Sequence, residues 1–467
     1  MHLAVSGDHY DVVKYFLDEK VDVNATTKAG HSALYFAIQR NNIPVTELLL
    51  NSGANVNIGN NGLSSPISAA MKNGNLAIIK LLLSRGATPN INPAGLSTWK
   101  KILDDTHMDI LKLLVEHGLD LNCPAADGRT PLMQYVASNA SLDTIKNFLS
   151  MRTQININWQ SPKSKRKSHG GISALHIAVQ NKSLAMVRFL IELGATVDLQ
   201  NEMGVTPLHM ATWSGQNDII QLLLDNNANP MLQVKSLNYL KSCFPTPKQL
   251  DITKMTFTAF HIACFQGLLE AMKILTPPMD ITENPQDFYQ VGIDLACLID
   301  CDDNLNYILG LPQVQGMLKF GVFMDFINYR LRQCVFKGMV SAAESLLIHG
   351  ADPNYAAPNK ASVLCEACQF RDFALVKLLL EHGANPNTSY FGGLSPLYWS
   401  INRDDTPVEI IQILLEYGAN PLAMRDDGSN LIHACARAAA THLIPLFINL
   451  GVDSHALNNH LRDIGKF

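Results

Sequence analysis

Charge is scarce in this 467-residue sequence: only 16% of residues are Asp, Glu, Lys or Arg, and the formal net charge is −5. So few charges exclude a disordered, self-repelling chain, and the negative sign argues against a broad electrostatic grip on nucleic acid or an anionic membrane. Aromatic residues make up 7%. Cysteines number nine, an odd count and too low a density for a secreted disulfide scaffold, which points to a reducing compartment. No apolar run approaches the roughly 18 residues of a membrane span. The start, Met1-His2-Leu3-Ala4-Val5-Ser6-Gly7-Asp8, has no charged segment leading into an apolar one as a secretory signal would. Phosphate-binding loops, nucleophile elbows, His-Glu-x-x-His and dinucleotide fingerprints are all missing, so neither an enzyme nor a cofactor is expected. With 47% apolar residues the chain must bury a large core. The expectation is a soluble, cytoplasmic protein that could also enter the nucleus.

What is present is repetition. A Leu-rich helix ends in Gly-Ala-x-x-Asn, a polar turn follows, and Gly-x-Ser/Thr-Pro/Ala-Leu opens the next helix. The cleanest copy runs Gly204-Val205-Thr206-Pro207-Leu208-His209-Met210-Ala211, then Ile219-Ile220-Gln221-Leu222-Leu223-Leu224 and Asn227-Ala228-Asn229. Marking the residue before Ala, the ruler reads Lys20, Gly53, Gly86, Gly118, about Arg152, Gly194, Asn227, about Pro278, about Gly310, Gly350, Gly383, Gly418 and Gly451. Regular steps are 32 to 35 residues. Each position has a physical reason. Thr or Ser caps the first helix, and Pro sits in its first turn, where a missing N–H costs nothing. Small residues let neighbouring helices approach, and Gly supplies the left-handed C-terminal cap, with Asn as its usual substitute. Lys20 and Arg152 fit that cap less well.

This pattern resembles the ankyrin repeat family, whose unit of about 33 residues carries Thr-Pro-Leu-His-x-Ala. The resemblance covers nearly the whole chain as about thirteen units. It implies an all-α solenoid of stacked helix-turn-helix pairs with β-hairpin finger loops, irregular in the middle, in which each repeat touches only its neighbours. Residues 1–230 form an N-terminal set of repeats, with a basic insertion at 161–170. Residues 231–330 are degenerate repeats with an insertion over 231–255, and 331–467 form a C-terminal set. Both ends fall inside repeat units, which raises the expectation that the protein continues beyond them.

Single residues that could carry chemistry have plain explanations in the repeat. His176, His209, His261 and His433 share one position, where the resemblance implies hydrogen bonds to neighbouring hairpins. Cys365 and Cys368 form a Cys-x-x-Cys, but six cysteines (Cys264, Cys297, Cys334, Cys365, Cys368 and Cys435) occupy first-helix positions where a small buried side chain is wanted. Neither a metal nor a redox site is expected there. The segment carrying Lys163, Lys165, Arg166 and Lys167 is a solvated loop, or else a site for an import receptor or for regulation by phosphorylation at Ser161; nucleic acid is disfavoured by the net charge.

A sharper signal lies just after the Ala–Ala pair, at a position that faces the groove and is usually polar. Gln39 and Gln180 obey this, while Trp213, Phe265, Leu298 and Phe336 do not, and Trp399 extends the same face. Exposed, these side chains would anchor a protein partner; covered by the insertion, they would be core. Hairpin tips at Thr26, Thr27, Lys28, Gln200, Asn201, Glu202, Arg425 and Asp426 are further candidate contacts. Asn57, and Asn24 with it, resembles the hairpin asparagine that an asparaginyl hydroxylase modifies in some ankyrin proteins. The expected function is a non-enzymatic scaffold or adaptor, monomeric and without a small-molecule substrate. The alternative is the recognition arm of a larger protein, such as a ubiquitin ligase, zinc-binding regulator, channel or bacterial effector.

Overall fold

The computed structural model describes residues 1–59, 65–89, 108–125, 127–151, 154–162, 170–234, 257–277, 285–390, 392–401 and 407–456. The basic loop residues Lys163, Lys165, Arg166 and Lys167 and residues 235–255 of the insertion 231–255 lie outside them. The described residues are helical, with no strand among them, and the fingers contain isolated bridges only, at Thr26–Ser32, Val234–Phe257, Ala356–Ser362 and Tyr390–Leu394. The chain divides into two units, Met1–Ala259 and Phe260–Phe467.

In the first unit, short first helices alternate with longer second helices: Ala33–Gln39 with Ile43–Asn51, Pro66–Asn73 with Leu76–Ser84, Pro131–Ala137 with Leu142–Leu149, Ala174–Gln180 with Leu184–Glu192, and Pro207–Trp213 with Asn217–Asp225. The starts are those the side chains dictate. Ser32, Ser65, Thr130, Ser173 and Thr206 each accept the backbone N–H three residues on, and Pro66, Pro131 and Pro207 follow their caps directly. The second helices end at residues of positive φ, Gly53 at 83°, Gly86 at 81°, Gly118 at 94° and Gly194 at 89°. Lys20 and Asn227 take the same conformation at 57° and 63°, so Lys20 is a true member of the series despite its Cβ. Leu49, Leu82, Leu111, Leu190 and Leu223 of the second helices are fully buried. Each contributes about 2 kcal/mol of hydrophobic stabilisation.

Asparagine side chains stitch one repeat to the next. Asn57 Nδ2 donates to Gly86 O at 3.0 Å while its Oδ1 accepts from Thr88 N at 2.9 Å. Asn24 joins Gly53 and Asn55 in the same way, Asn122 joins Gln154 and Asn156, and Asn158 joins Gly194 and Thr196. Asp198 keeps only the accepting half, toward Asn229 N, because a carboxylate has no N–H to give.

The second unit opens one residue into the helix Ala259–Gln266 and repeats the alternation at Val340–Ile348, Val363–Phe370 with Phe373–Glu381, Pro396–Ser400 with Val408–Glu416, and Leu431–Ala438 with Ile444–Asn449. Asn354 and Asn387 continue the stitching to Gly383 and Gly418. Between these lies the irregular part: Pro285–Leu298, Asp302–Gly310, Pro312–Leu318 and a 17-residue helix, Gly321–Lys337. Gly310, expected to be a left-handed cap, is instead the last residue of its helix. The turn is made by Leu311 in extended backbone (φ −61°, ψ 135°) leading into Pro312. Proline disfavours helical backbone in the residue before it, which is why the cap moved.

Candidate protein-recognition surface

First helices carry the side chains of interest, and a common register can be read from the left-handed residue that ends each one. Six residues before Lys182, Gly215 and Gly267 stand His176, His209 and His261. Each ring is buried, and those of His176 and His209 are bonded on both sides. Ser173 N and Thr206 N donate to the Nδ1 of His176 and His209 at 3.3 and 3.1 Å, which leaves Nε2–H to reach Val205 O at 3.1 Å and Leu232 O at 2.9 Å. His261 Nε2 meets Phe288 O at 2.9 Å. Burial pushes all three down to about 4, so they are neutral at physiological pH. A neutral imidazole whose Nε2–H reaches a carbonyl of the following repeat is a structural clip between repeats.

Within the second unit, between His261 and His433, the same register before Asp300, Gly338 and Arg371 holds Asp294, Arg332 and Cys365. Here ion pairs do the clipping. Arg330 holds Asp294 with Nε to Oδ1 at 2.6 Å and Nη2 to Oδ2 at 2.7 Å, and its guanidinium lies 5.2 Å from the Phe326 ring centre and 5.7 Å from that of Tyr329. Arg332 donates from Nε at 3.0 Å, and also from Nη2, to Glu366 Oε1. Burial raises Asp294 to about 6, and the pull of Arg330 only partly offsets it. The thiols are raised as well: burial takes Cys365 and Cys435 to about 11 and lifts Cys368 and Cys264 well above the usual thiol range. Thiols so disposed stay protonated and poorly nucleophilic. Among the described residues no three His, Cys, Asp or Glu side chains stand together as metal ligands would.

The groove-facing series, left open between an exposed ladder and core, divides. Trp213 is 4% and Phe265 3% exposed, so both are core rather than a free ladder. Rings of that size gain most by leaving water, and only a particular neighbour geometry leaves them out. Leu298 and Trp399 are partly exposed. Phe336 is the exposed member at 60%, and its ring meets that of Phe370 edge-on at 5.3 Å. Phe370 at 46% and Tyr329 at 44% were not anticipated from the repeat pattern. The signal that could have revealed Tyr329 is the absence of Gly and Pro from Val322 to Lys337, which permits one long helix; Phe370 lies on another helix.

Hairpin tips differ among themselves. Thr26, Lys28, Gln200, Glu202 and Asp426 are exposed, and Thr27 is half-buried, its hydroxyl accepting from His31 N at 3.2 Å. Asn201 is buried and shapes the turn by accepting from Met203 N and Val205 N, both at 2.9 Å, so it is not a free contact. Arg425 is half-buried, with its guanidinium 5.4 Å from the Tyr398 ring centre and paired with Asp427 at 3.4 Å. The amides of Asn57 and Asn24 are both occupied in the stitching.

The family model for ankyrin repeats matches three stretches, 1–93, 135–234 and 331–425. The ankyrin repeat protein FPV022 of fowlpox virus is 25% identical over 316 residues, covering 66% of this chain and 45% of that protein. The mouse B-cell lymphoma 3 protein homolog is 26% identical over 248 residues, 52% of this chain and 44% of its own length. The human 2-5A-dependent ribonuclease is 37% identical over 81 residues, 16% of this chain and 11% of its own length. The chain thus spans less than half the length of these relatives. No described helix is long and apolar enough to cross a membrane.

Proposed function

The chain belongs to the ankyrin repeat family, and we propose that it works as a protein-binding scaffold or adaptor, a role in keeping with a family that is typically non-catalytic. The observation that carries this reading is the exposed aromatic pair Phe336 and Phe370 on first helices of the second unit. Contiguous exposed rings in a frame otherwise locked by hydrogen bonds are what a partner buries as an anchor. The exposed tips at Thr26, Lys28, Gln200, Glu202 and Asp426 would add polar contacts around it. A reducing, intracellular setting suits thiols that fill small buried positions.

A second reading is that these repeats recognise a target for an activity carried elsewhere. It is favoured by the relatives, which are all longer than the matched part, one of them bearing the name of a ribonuclease. Affinity capture with mass spectrometry from the native cell type tests the first reading. Wild type is compared with a Phe336→Ala/Phe370→Ala variant and with a tip variant altered at Lys28, Gln200 and Glu202. Loss of specific partners in either variant is the expected result, and an unchanged partner list in both would remove the proposed surface.

A further inference from the structure

Two stripes run along opposite sides of the helix Gly321–Lys337. Phe323, Ile327, Leu331 and Cys334 are buried in the second unit. Val322, Phe326, Tyr329, Gln333 and Phe336 follow at steps of four, three, four and three residues. At about 100° per residue, this second stripe lies roughly 135° around the helix from the first. Val322 is 72%, Tyr329 44% and Phe336 60% exposed. Alternating steps of four and three are the spacing by which one helix meets another as knobs into holes.

This seam is longer than the repeat requires. In regular units the capping residue stands nine before the left-handed one, as Thr206 before Gly215 and Ser362 before Arg371. The same count from Gly338 falls on Tyr329, so the eight residues Gly321–Asn328 are added helix. Within the added part Asn328 Oδ1 accepts from Asp352 N at 2.8 Å, taking over the stitching that finger asparagines perform elsewhere. The finger has been replaced by two turns of helix, and those turns extend the exposed seam.

Charge selects the occupant. Between Pro312 and Lys337 there are four basic side chains, Lys319, Arg330, Arg332 and Lys337, and one acidic, Asp325. The acids that answer the two arginines stand on neighbouring helices, with the Asp294 side chain 18% and that of Glu366 10% exposed. Lys319 and Lys337 remain exposed near the two ends of the seam. A second copy laid antiparallel on it would bring Lys337 close to Lys319 of that copy, a like-charge arrangement that disfavours self-association. An acidic helix meets both lysines favourably.

We propose that the seam from Val322 to Phe336 docks an amphipathic α-helix of a partner protein that carries acidic residues beside its apolar stripe. The proposal rests on the protein-binding reading above and names the partner chemistry for that face. Helix-in-groove recognition of this kind reads anchors three and four residues apart.

The test uses the full chain. A photo-crosslinking phenylalanine analogue is placed at Tyr329 and, separately, at Gln200 and Asp426, and adducts formed in the native cell type are sequenced. Adducts from position 329 to segments that are amphipathic in helical register and rich in Asp or Glu are expected. Adducts to the chain itself, or to basic or non-helical segments, overturn the proposal. No adduct at 329 with adducts at the tips overturns it while the broader reading stands; no adduct at any of the three overturns both. In parallel, a three-heptad peptide with Leu at the core positions and Glu flanking them is compared by fluorescence anisotropy with the same peptide flanked by Lys. The Glu peptide is expected to bind about tenfold more tightly, and Lys319→Glu/Lys337→Glu to invert that order. Val322→Asp/Phe336→Asp is expected to abolish binding with little movement of the thermal transition, because these are the two most exposed side chains of the seam. Equal affinity for the two peptides, or indifference to these substitutions, counts against the proposal.

Discussion

Two pairs of first helices solve the same problem with different chemistry. In Ala174–Gln180 and Pro207–Trp213 a neutral, fully buried histidine joins cap to neighbour through two hydrogen bonds. In Pro285–Leu298 and Gly321–Lys337 the equivalent register carries Asp294 and Arg332, and the joints are ion pairs. A neutral clip can be sealed in the core because nothing charged is desolvated. An ion pair keeps part of itself in water, and the side chains around it follow: Trp213 is buried, whereas Tyr329 and Phe336 are not. The exposed surface of the second unit thus lies on first helices that lack the histidine, while His261 and His433 keep it elsewhere in the same unit.

Acid should separate the two regions most strongly. His176, His209 and His261 titrate near 4 in the fold and near 6.5 when unfolded. The unfolded chain therefore takes up protons first as pH falls. Their contribution is complete above about pH 6.5 and is lost on the way down to about 4, at most about 3 kcal/mol for each ring. Amide exchange corrected for intrinsic rates should show protection around Thr206–Leu232 falling over that window. Protection there that is flat between pH 6.5 and 4 would contradict the clip.

Removing one clip tests the same idea at neutral pH. His209→Leu leaves Leu232 O without its donor and should cost about 2 to 3 kcal/mol, read from the urea midpoint. Cys365→Ala, at the same register but with a thiol bonded to Ser362 of its own repeat, should cost about 1 kcal/mol less.

Asp294 runs the other way with pH. Its folded value near 6 lies above the ordinary carboxylate value, so the stability it contributes is present at low pH and lost as pH rises from about 4 to 6. Asp294→Asn should flatten that limb of the stability profile while costing about 1 kcal/mol at acidic pH, with the side-chain exposure of the pair limiting the effect. The smallest change expected is at Ala439, which closes the helix Leu431–Ala438 at φ 57°. Ala439→Gly should stabilise by about 0.5 to 1 kcal/mol, visible as a small rise in the melting temperature of the second unit.

Much of this was legible in the sequence. The caps at Thr206 and Ser362, the prolines after the caps and the left-handed glycines are local signals, and they repeat at a spacing that one can count. Lys20 shows the limit of residue preference: a spacing of 33 residues to Gly53 outweighed its unfavourable Cβ. The surface was less legible. Trp213 and Phe336 hold the same repeat position, yet one is 4% and the other 60% exposed. Their aromatic size alone does not distinguish them, because exposure also depends on what neighbouring segments cover.

By itself, then, the sequence determined the regular helix pairs, their ends outside the irregular middle, and the histidine clips, since these follow from hydrogen bonds that span a turn or a single repeat. Only the tertiary structure decided that Arg330 would reach Asp294, 36 residues away, and that the long helix would turn Val322, Tyr329 and Phe336 toward solvent. Those outcomes depend on which neighbouring surfaces desolvate a side chain, and that is a property of the packed repeats together.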